Sequence, residues 1–229
     1  MTFWKKLFGV KESPKAPPPE ARNQPSIAAR FHGAVQSCDL QTVKALLADN
    51  PDLVSSKDGK SGYKPLHKCG WTALHTAAAN GYKDIVELLL AHKAEVNARD
   101  QLGQTPLHVS ALRLGNECVV ELLLASHADI NARDTDRWTP LHTAAYGGVA
   151  KVAEMLLARR AKVNARDRER KTALHLAAQI DFKEVPELLL ANKADVNAED
   201  NDGATPMEVA AAKGNALVVD LLRHHRGHE

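Results

Sequence analysis

Four histidines are the first candidates for chemistry. His75, His108, His142 and His175 each close a Thr-x-Leu-His word. An imidazole can serve as a base or a metal ligand. Here, however, every repeat uses it at the same place, so it serves the repeat and not a unique active centre. His67 and Cys69 are spaced like half of a metal site. A structural zinc site needs four ligands, and no second pair follows at ligand spacing, so Cys69 reads as a surface thiol in a loop. Cys118 stands beside Val119 and Val120 and is expected to fill core. His224, His225 and His228 read as a solvated tail. No glycine-rich phosphate loop, no Ser or Cys nucleophile motif and no paired carboxylates stand outside the repeat pattern. The expectation is a non-enzyme with no cofactor and no metal.

The composition agrees with an ordinary soluble chain. Of 229 residues, 44% are hydrophobic and 25% charged, and only 4% are aromatic. The core must therefore come from Ala, Leu and Val, a mix that favours helices. A net charge of +2 gives no support to bulk nucleic-acid binding, and no nucleic-acid partner is expected. Three well-separated cysteines point to a reducing compartment, hence the cytoplasm. No apolar run approaches the roughly 20 residues that span a bilayer. Met1–Val10 lacks the apolar region of a secretory signal.

The elements that position the histidines are internal repeats. Thr72-Ala73-Leu74-His75 recurs at Thr105, Thr139 and Thr172 and ends as Thr205-Pro206-Met207-Glu208, in steps of 33, 34, 33 and 33 residues. Glu87-Leu88-Leu89-Leu90 and Val96-Asn97-Ala98 keep the same beat. Thr before Pro or Ala caps a helix start. Leu74, Ala77 and Ala78 make a narrow apolar stripe on a short first helix, and small Ala residues let neighbours approach. Gly81, Gly115, Gly148 and Gly214 suit the left-handed residue that ends it. A second helix runs through Ile85, Val86, Leu88, Leu89 and Leu90, then Asn-Ala-Arg-Asp leads to a tight turn. One such hairpin cannot bury its apolar face, but stacked copies can.

This spacing and the T-P-L-H words resemble the ankyrin repeat over residues 24–226. The resemblance implies an all-α repeat solenoid of helix-turn-helix units with protruding β-turn fingers. It also implies an imidazole that ties adjacent turns by hydrogen bonds and a concave, partner-facing surface. Six repeats are expected: 24–66 as the N-terminal cap, 67–99, 100–133, 134–166, 167–199, and 200–226 as the C-terminal cap. Residues 1–23, with Pro14, Pro17, Pro18 and Pro19, read as a disordered leader, and 227–229 as a tail.

Departures from the family pattern carry information too. Lys93, His127, Arg160 and Lys193 stand where Gly usually ends the second helix, and Arg137 and Arg170 where a turn Gly is found. Asp181 and Cys38 replace the inter-helix Gly. One extra residue sits near Leu114, and Pro186 lies early in a second helix. The fifth repeat collects several of these departures and is expected to be the loosest. From Val54 to Thr72 the connection is about ten residues too long. It holds Gly62-Tyr63-Lys64-Pro65-Leu66-His67, a partial copy of the next turn, which is either a by-product of repeat expansion or a contact.

With no chemistry to place, function is sought where the repeats differ. The resemblance implies a protein partner bound at the turn tips and at exposed positions late in each first helix: Trp71, Gln101, Leu102, Gln104, Leu112, Arg113, Trp138, Tyr146, Arg168, Lys171 and Ile180. Trp71 and Trp138 either anchor a partner or cover neighbouring turns. Arg99, Arg133 and Arg166 each precede an Asp. They form either a ladder of Arg and Asp across the turns or, with Arg137, Arg168, Arg170 and Lys171, a cationic strip favouring an acidic partner. Glu199 breaks that series. The leading expectation is a monomeric adaptor, scaffold or inhibitor. The alternative is a peripheral membrane form, held by Phe3, Trp4, Lys5, Lys6, Leu7 and Phe8.

Overall fold

The computed structural model describes residues 25–57 and 70–226. The expected leader with its basic-aromatic segment, the stretch holding Tyr63, His67 and Cys69, and the tail 227–229 lie outside the described residues. Twelve α-helices occur among them, in six pairs: α1 (Ile27–Gln36) with α2 (Leu40–Asp49), α3 (Ala73–Asn80) with α4 (Lys83–Ala91), α5 (Pro106–Ala111) with α6 (Glu117–Ala125), α7 (Pro140–Tyr146) with α8 (Ala150–Ala158), α9 (Ala173–Ala177) with α10 (Glu184–Ala191), and α11 (Pro206–Lys213) with α12 (Ala216–Arg226). Each odd-numbered inner helix from α3 onward packs on the next inner helix, and each outer helix on the next outer one from α2 to α10. The chain is an all-α solenoid. His224 and His225 lie on α12 and not in a tail.

The core is one continuous seam. Leu74, Leu107, Leu141 and Leu174 on inner helices and Leu89, Leu123, Leu156 and Leu189 on outer helices are each fully buried. Ala77, Ala144 and Ala177 let the inner helices approach closely. Cys118 departs from expectation. On α6 the buried face is Val119, Val120 and Leu123, and Cys118 turns out to solvent. Lys57 and Thr72 form an antiparallel bridge, so the long insertion leaves and rejoins the array at neighbouring points.

A neutral imidazole links each of four inner helices, α3, α5, α7 and α9, to the next repeat. The Thr72 N–H donates to His75 Nδ1 at 3.2 Å, and the same contact closes at Thr105–His108, Thr139–His142 and Thr172–His175. Nδ1 is therefore the acceptor, and the ring proton sits on Nε2. That N–H reaches a carbonyl 29 or 30 residues on: Gln104 from His75, Trp138 from His108, Lys171 from His142 and Ala204 from His175, at 3.0–3.3 Å. One side chain thus caps its own helix and ties down the next turn. The last copy differs. Glu208 accepts from the Thr205 N–H at 2.7 Å, which keeps the local cap, but a carboxylate has no proton to pass onward.

The second helices end as their sequence required. Lys93, His127, Arg160 and Lys193 all take φ of 63–65°, the left-handed region, and Arg137 and Arg170 do the same at the turns with φ of 64° and 59°. Cys38 follows with φ 59°. Asp181 does not. The fifth repeat makes its inter-helix turn without a left-handed residue there, its inner helix α9 has only five residues, and the Asp181 carboxylate accepts the Leu217 N–H at 3.1 Å.

Two predictions follow from these backbone and side-chain constraints. Lys193→Gly should raise stability by up to about 1 kcal/mol, since glycine removes the Cβ clash at φ 65°. A lowered urea midpoint would show that the cation at the helix terminus outweighs that strain. Burial lowers the pKa of all four repeat histidines, to about 4 for His108 and His142. The unfolded chain binds those protons near pH 6.5, so the stability is fully present above that pH and is lost as pH falls toward 4. The scale is about 3 kcal/mol for each of these two residues. Urea midpoints should drop between pH 7 and pH 5. Native-state imidazole signals of His108 and His142 that titrate near 6.5 would contradict this.

Candidate functional site

The turn tips are built by a repeated carboxylate. Asp100 Oδ1 accepts the N–H groups of Leu102 and Gln104, Asp134 those of Asp136 and Trp138, Asp167 those of Glu169 and Lys171, and Asp200 those of Asp202 and Ala204, at 2.8–2.9 Å. Each finger then bonds the next through its backbone: Thr135 N–H to the Leu102 carbonyl, Arg168 N–H to Asp136 and Asn201 N–H to Glu169. These bonds fix where every tip side chain emerges. Burial raises the pKa of Asp134 and Asp167, while the backbone N–H groups they accept pull the other way.

The two tip tryptophans divide. Trp71 is only 8% exposed, donates Nε1–H to Asp100 Oδ2 at 3.0 Å and stacks on His75. It covers neighbouring turns, the second of the two roles open to it in sequence, and shows little surface at the tip. Trp138 makes the equivalent bond to Asp167 Oδ2 at 3.1 Å and stacks on His142, but stays half-buried. Its other neighbour is Tyr146, with ring centroids 5.3 Å apart and planes inclined by 57°. Tyr146 ends α7, where a helical side chain leans back toward the N-terminus and so reaches the finger. Half of it is exposed.

Trp138, Tyr146, Arg168 and Lys171 meet around one cavity of about 240 Å³, with Asp136, Asp167, Glu169, Leu176 and Gln179 as its other walls. The remaining expected residues lie elsewhere on the same side of the array. Gln101 is exposed on its tip, while Leu102 and Gln104 are half-buried and their backbones hold the finger. Leu112 and Arg113 are exposed at the end of α5. Leu112 stands close to the next repeat: a Cβ at Gly147 would lie 2.7 Å from its carbonyl oxygen, so only glycine permits that approach. Ile180 is half-buried, 3.7 Å from where a Gly148 Cβ would be.

Sequence reasoning did not single out the exposed apolar side chains of Leu114, Phe182 and Leu217. Their signal was available: Leu114 and Phe182 are large apolar types in inter-helix turns, and Leu217 stands in the first turn of α12, where polar residues would serve. With Leu112, Tyr146 and Ile180 they lie at or just after the inner-helix ends of repeats three to six, and the Leu217–Asp181 bond joins the last two. Asp167 was read as a turn residue alone, and its role as a cavity wall depends on the Trp138 contact. The cationic strip is partly consumed inside the array. Arg99 donates to the Gly103 and Arg133 carbonyls, Arg166 to Glu199, and Lys171 pairs with Glu169 at 2.6 Å. Among the described residues no cluster of three or more His, Cys, Asp and Glu could hold a metal. Nor is any helix there long and apolar enough to cross a membrane.

Comparison with known proteins agrees with this geometry. A family model described as ankyrin repeats in three copies matches residues 31–134, 95–167, 111–200 and 161–229. A BTB/POZ domain and ankyrin repeat-containing protein of Oryza sativa is 42% identical over 82 residues, covering 36% of this chain and 15% of its own. A putative ankyrin repeat protein of Rickettsia bellii is 57% identical over 37 residues, 16% of either chain. Protein phosphatase 1 regulatory subunit 12A of Mus musculus is 50% identical over 44 residues, 19% of this chain and 4% of that one. The chain thus spans a small fraction of these relatives' lengths, and the similarity lies in the repeats. With the family model covering most of the residues and the histidine ties recurring from turn to turn, the chain belongs to the ankyrin-repeat family.

Proposed function

We propose that this chain is an adaptor, scaffold or inhibitor that holds one protein partner on the concave face of repeats three to six. The observation that carries the reading is the Trp138–Tyr146 pair opening on the 240 Å³ cavity, with Leu112 and Phe182 exposed in the neighbouring repeats. Side chains such as Leu114, 76% exposed, and Phe182, 62% exposed, lose apolar hydration only when something covers them. Aromatic anchors within a preformed depression are where interface energy concentrates. The ankyrin fold is in general an interaction scaffold, and what it supplies is a rigid surface. The exposed thiols of Cys38 and Cys118 support a reducing, cytoplasmic setting.

Differential capture from a lysate tests this. Proteins retained by the full chain should be lost with Tyr146→Ser, an affinity loss of about 2 kcal/mol, while the melting temperature barely moves because the ring is half exposed. Retention of the same proteins by this variant and by Leu112→Ser would remove the concave face from consideration. Trp71→Phe is the opposite case. It should leave capture intact and cost about 1–2 kcal/mol of stability, since Asp100 Oδ2 loses a buried donor. Loss of capture with normal stability in this variant would return Trp71 to the binding surface.

A further inference from the structure

The cavity beside Trp138 has a chemistry that narrows what enters it, given the partner-binding face proposed above. At about 240 Å³ it is smaller than the roughly 300–1,000 Å³ of small-molecule sites, so it suits one large side chain. Two walls are aromatic rings whose planes meet at 57°, a wedge and not a stack. Ring faces carry negative potential and attract cations. The indole also gives its N–H to the Asp167 carboxylate at 3.1 Å, which polarises the ring toward a more negative face.

The charges around the wedge agree. Lys171 is neutralised by Glu169 at 2.6 Å. That leaves Asp136 and Asp167 facing Arg168. Arg168 is exposed at the rim, where solvent screens it, whereas Asp167 is 4% exposed and acts through a poorer dielectric. The local excess is negative. Leu176, 3% exposed, supplies an apolar floor for an aliphatic stem.

We infer that the cavity receives an arginine side chain of the partner, its guanidinium laid against Trp138 and Tyr146 and its N–H fork turned to Asp136. Guanidinium suits the wedge better than ammonium. It is planar, weakly hydrated and keeps its donors at the edge while its face stacks. This sign is the reverse of the one that the Arg168–Arg170–Lys171 run suggests in sequence.

The test uses the full chain labelled with 15N and the capped tripeptide acetyl-Gly-Arg-Gly-amide, with counterparts carrying Lys, Gln or Glu at the centre. The arginine peptide should shift the Trp138 indole N–H signal saturably, with a dissociation constant on the order of 1–10 mM. The Trp71 indole signal should stay still. Tyr146→Leu and Asp136→Asn should each weaken the response by about threefold or more. The Lys peptide should bind about threefold weaker or worse, and the Gln and Glu peptides should leave the signal unmoved. Stronger binding of the Glu peptide, an equal response to the Lys peptide, or no shift with arginine overturns the inference. If arginine fails while Tyr146→Ser still abolishes partner capture, the binding face stands without its arginine; if capture survives that substitution, the face itself falls.

Discussion

The array depends on the imidazoles at the starts of α3, α5, α7 and α9 being neutral. Each ring accepts from the Thr N–H at Nδ1 and gives its Nε2 proton to a carbonyl of the following repeat. Protonation would set a second N–H against the Thr N–H and place a charge in the buried seam, and burial holds the rings neutral well below their usual range. Because both bonds come from one rigid ring, the start of a helix and the position of the next finger are fixed together. The Asp turns then need only place the tip residues. The stripe of Ala and Leu supplies the apolar area, but the imidazole chain sets the register in which that area stacks.

The candidate site inherits its rigidity from the same bonds. His108 binds the Trp138 carbonyl, and Trp138 in turn binds Asp167, so the anchor of the candidate site is held from the repeat before and the repeat after. A preformed depression costs a partner little ordering on the protein side. Trp71 shows the other fate of the same residue at the same position. Its indole is also bonded to the Asp of the next finger, yet no large ring like Tyr146 stands at the end of its inner helix. The small Ala79 and Asn80 occupy that end instead, and Trp71 lies flat and buried.

Much of this was legible in the residues. The period of 33 or 34, the Thr caps and the glycine positions lead directly to the helix pairs. The cations after each outer helix could be expected in a left-handed conformation because nothing else in the repeat can turn there. Other features were not legible because they depend on neighbours a repeat away. Cys118 sits among valines in sequence, but one residue rotates a helix by about 100°, enough to turn it from core to solvent. The burial of Trp71 against the half-burial of Trp138 turns on the side chain at the end of the same inner helix, Ala79 or Tyr146, a contact between helix end and finger that spacing alone does not record. The wedge at Trp138 needed residues from two repeats, 136 to 179, to be brought to one place.

Glu208 gives the stack a polarity. A histidine at that position would both cap and donate; a carboxylate caps but has no proton to give, so the chain of imidazole ties has a donor end and a closing end. Arrays of this kind lengthen by duplication of whole units. A copy inserted anywhere before Thr205 finds an imidazole behind it and a finger ahead, and is stitched in at once. A copy appended after Glu208 meets no such donor and would rest on apolar contact and backbone bonds between fingers. One side chain therefore directs where the array can grow: new units, and new binding surface with them, enter from within.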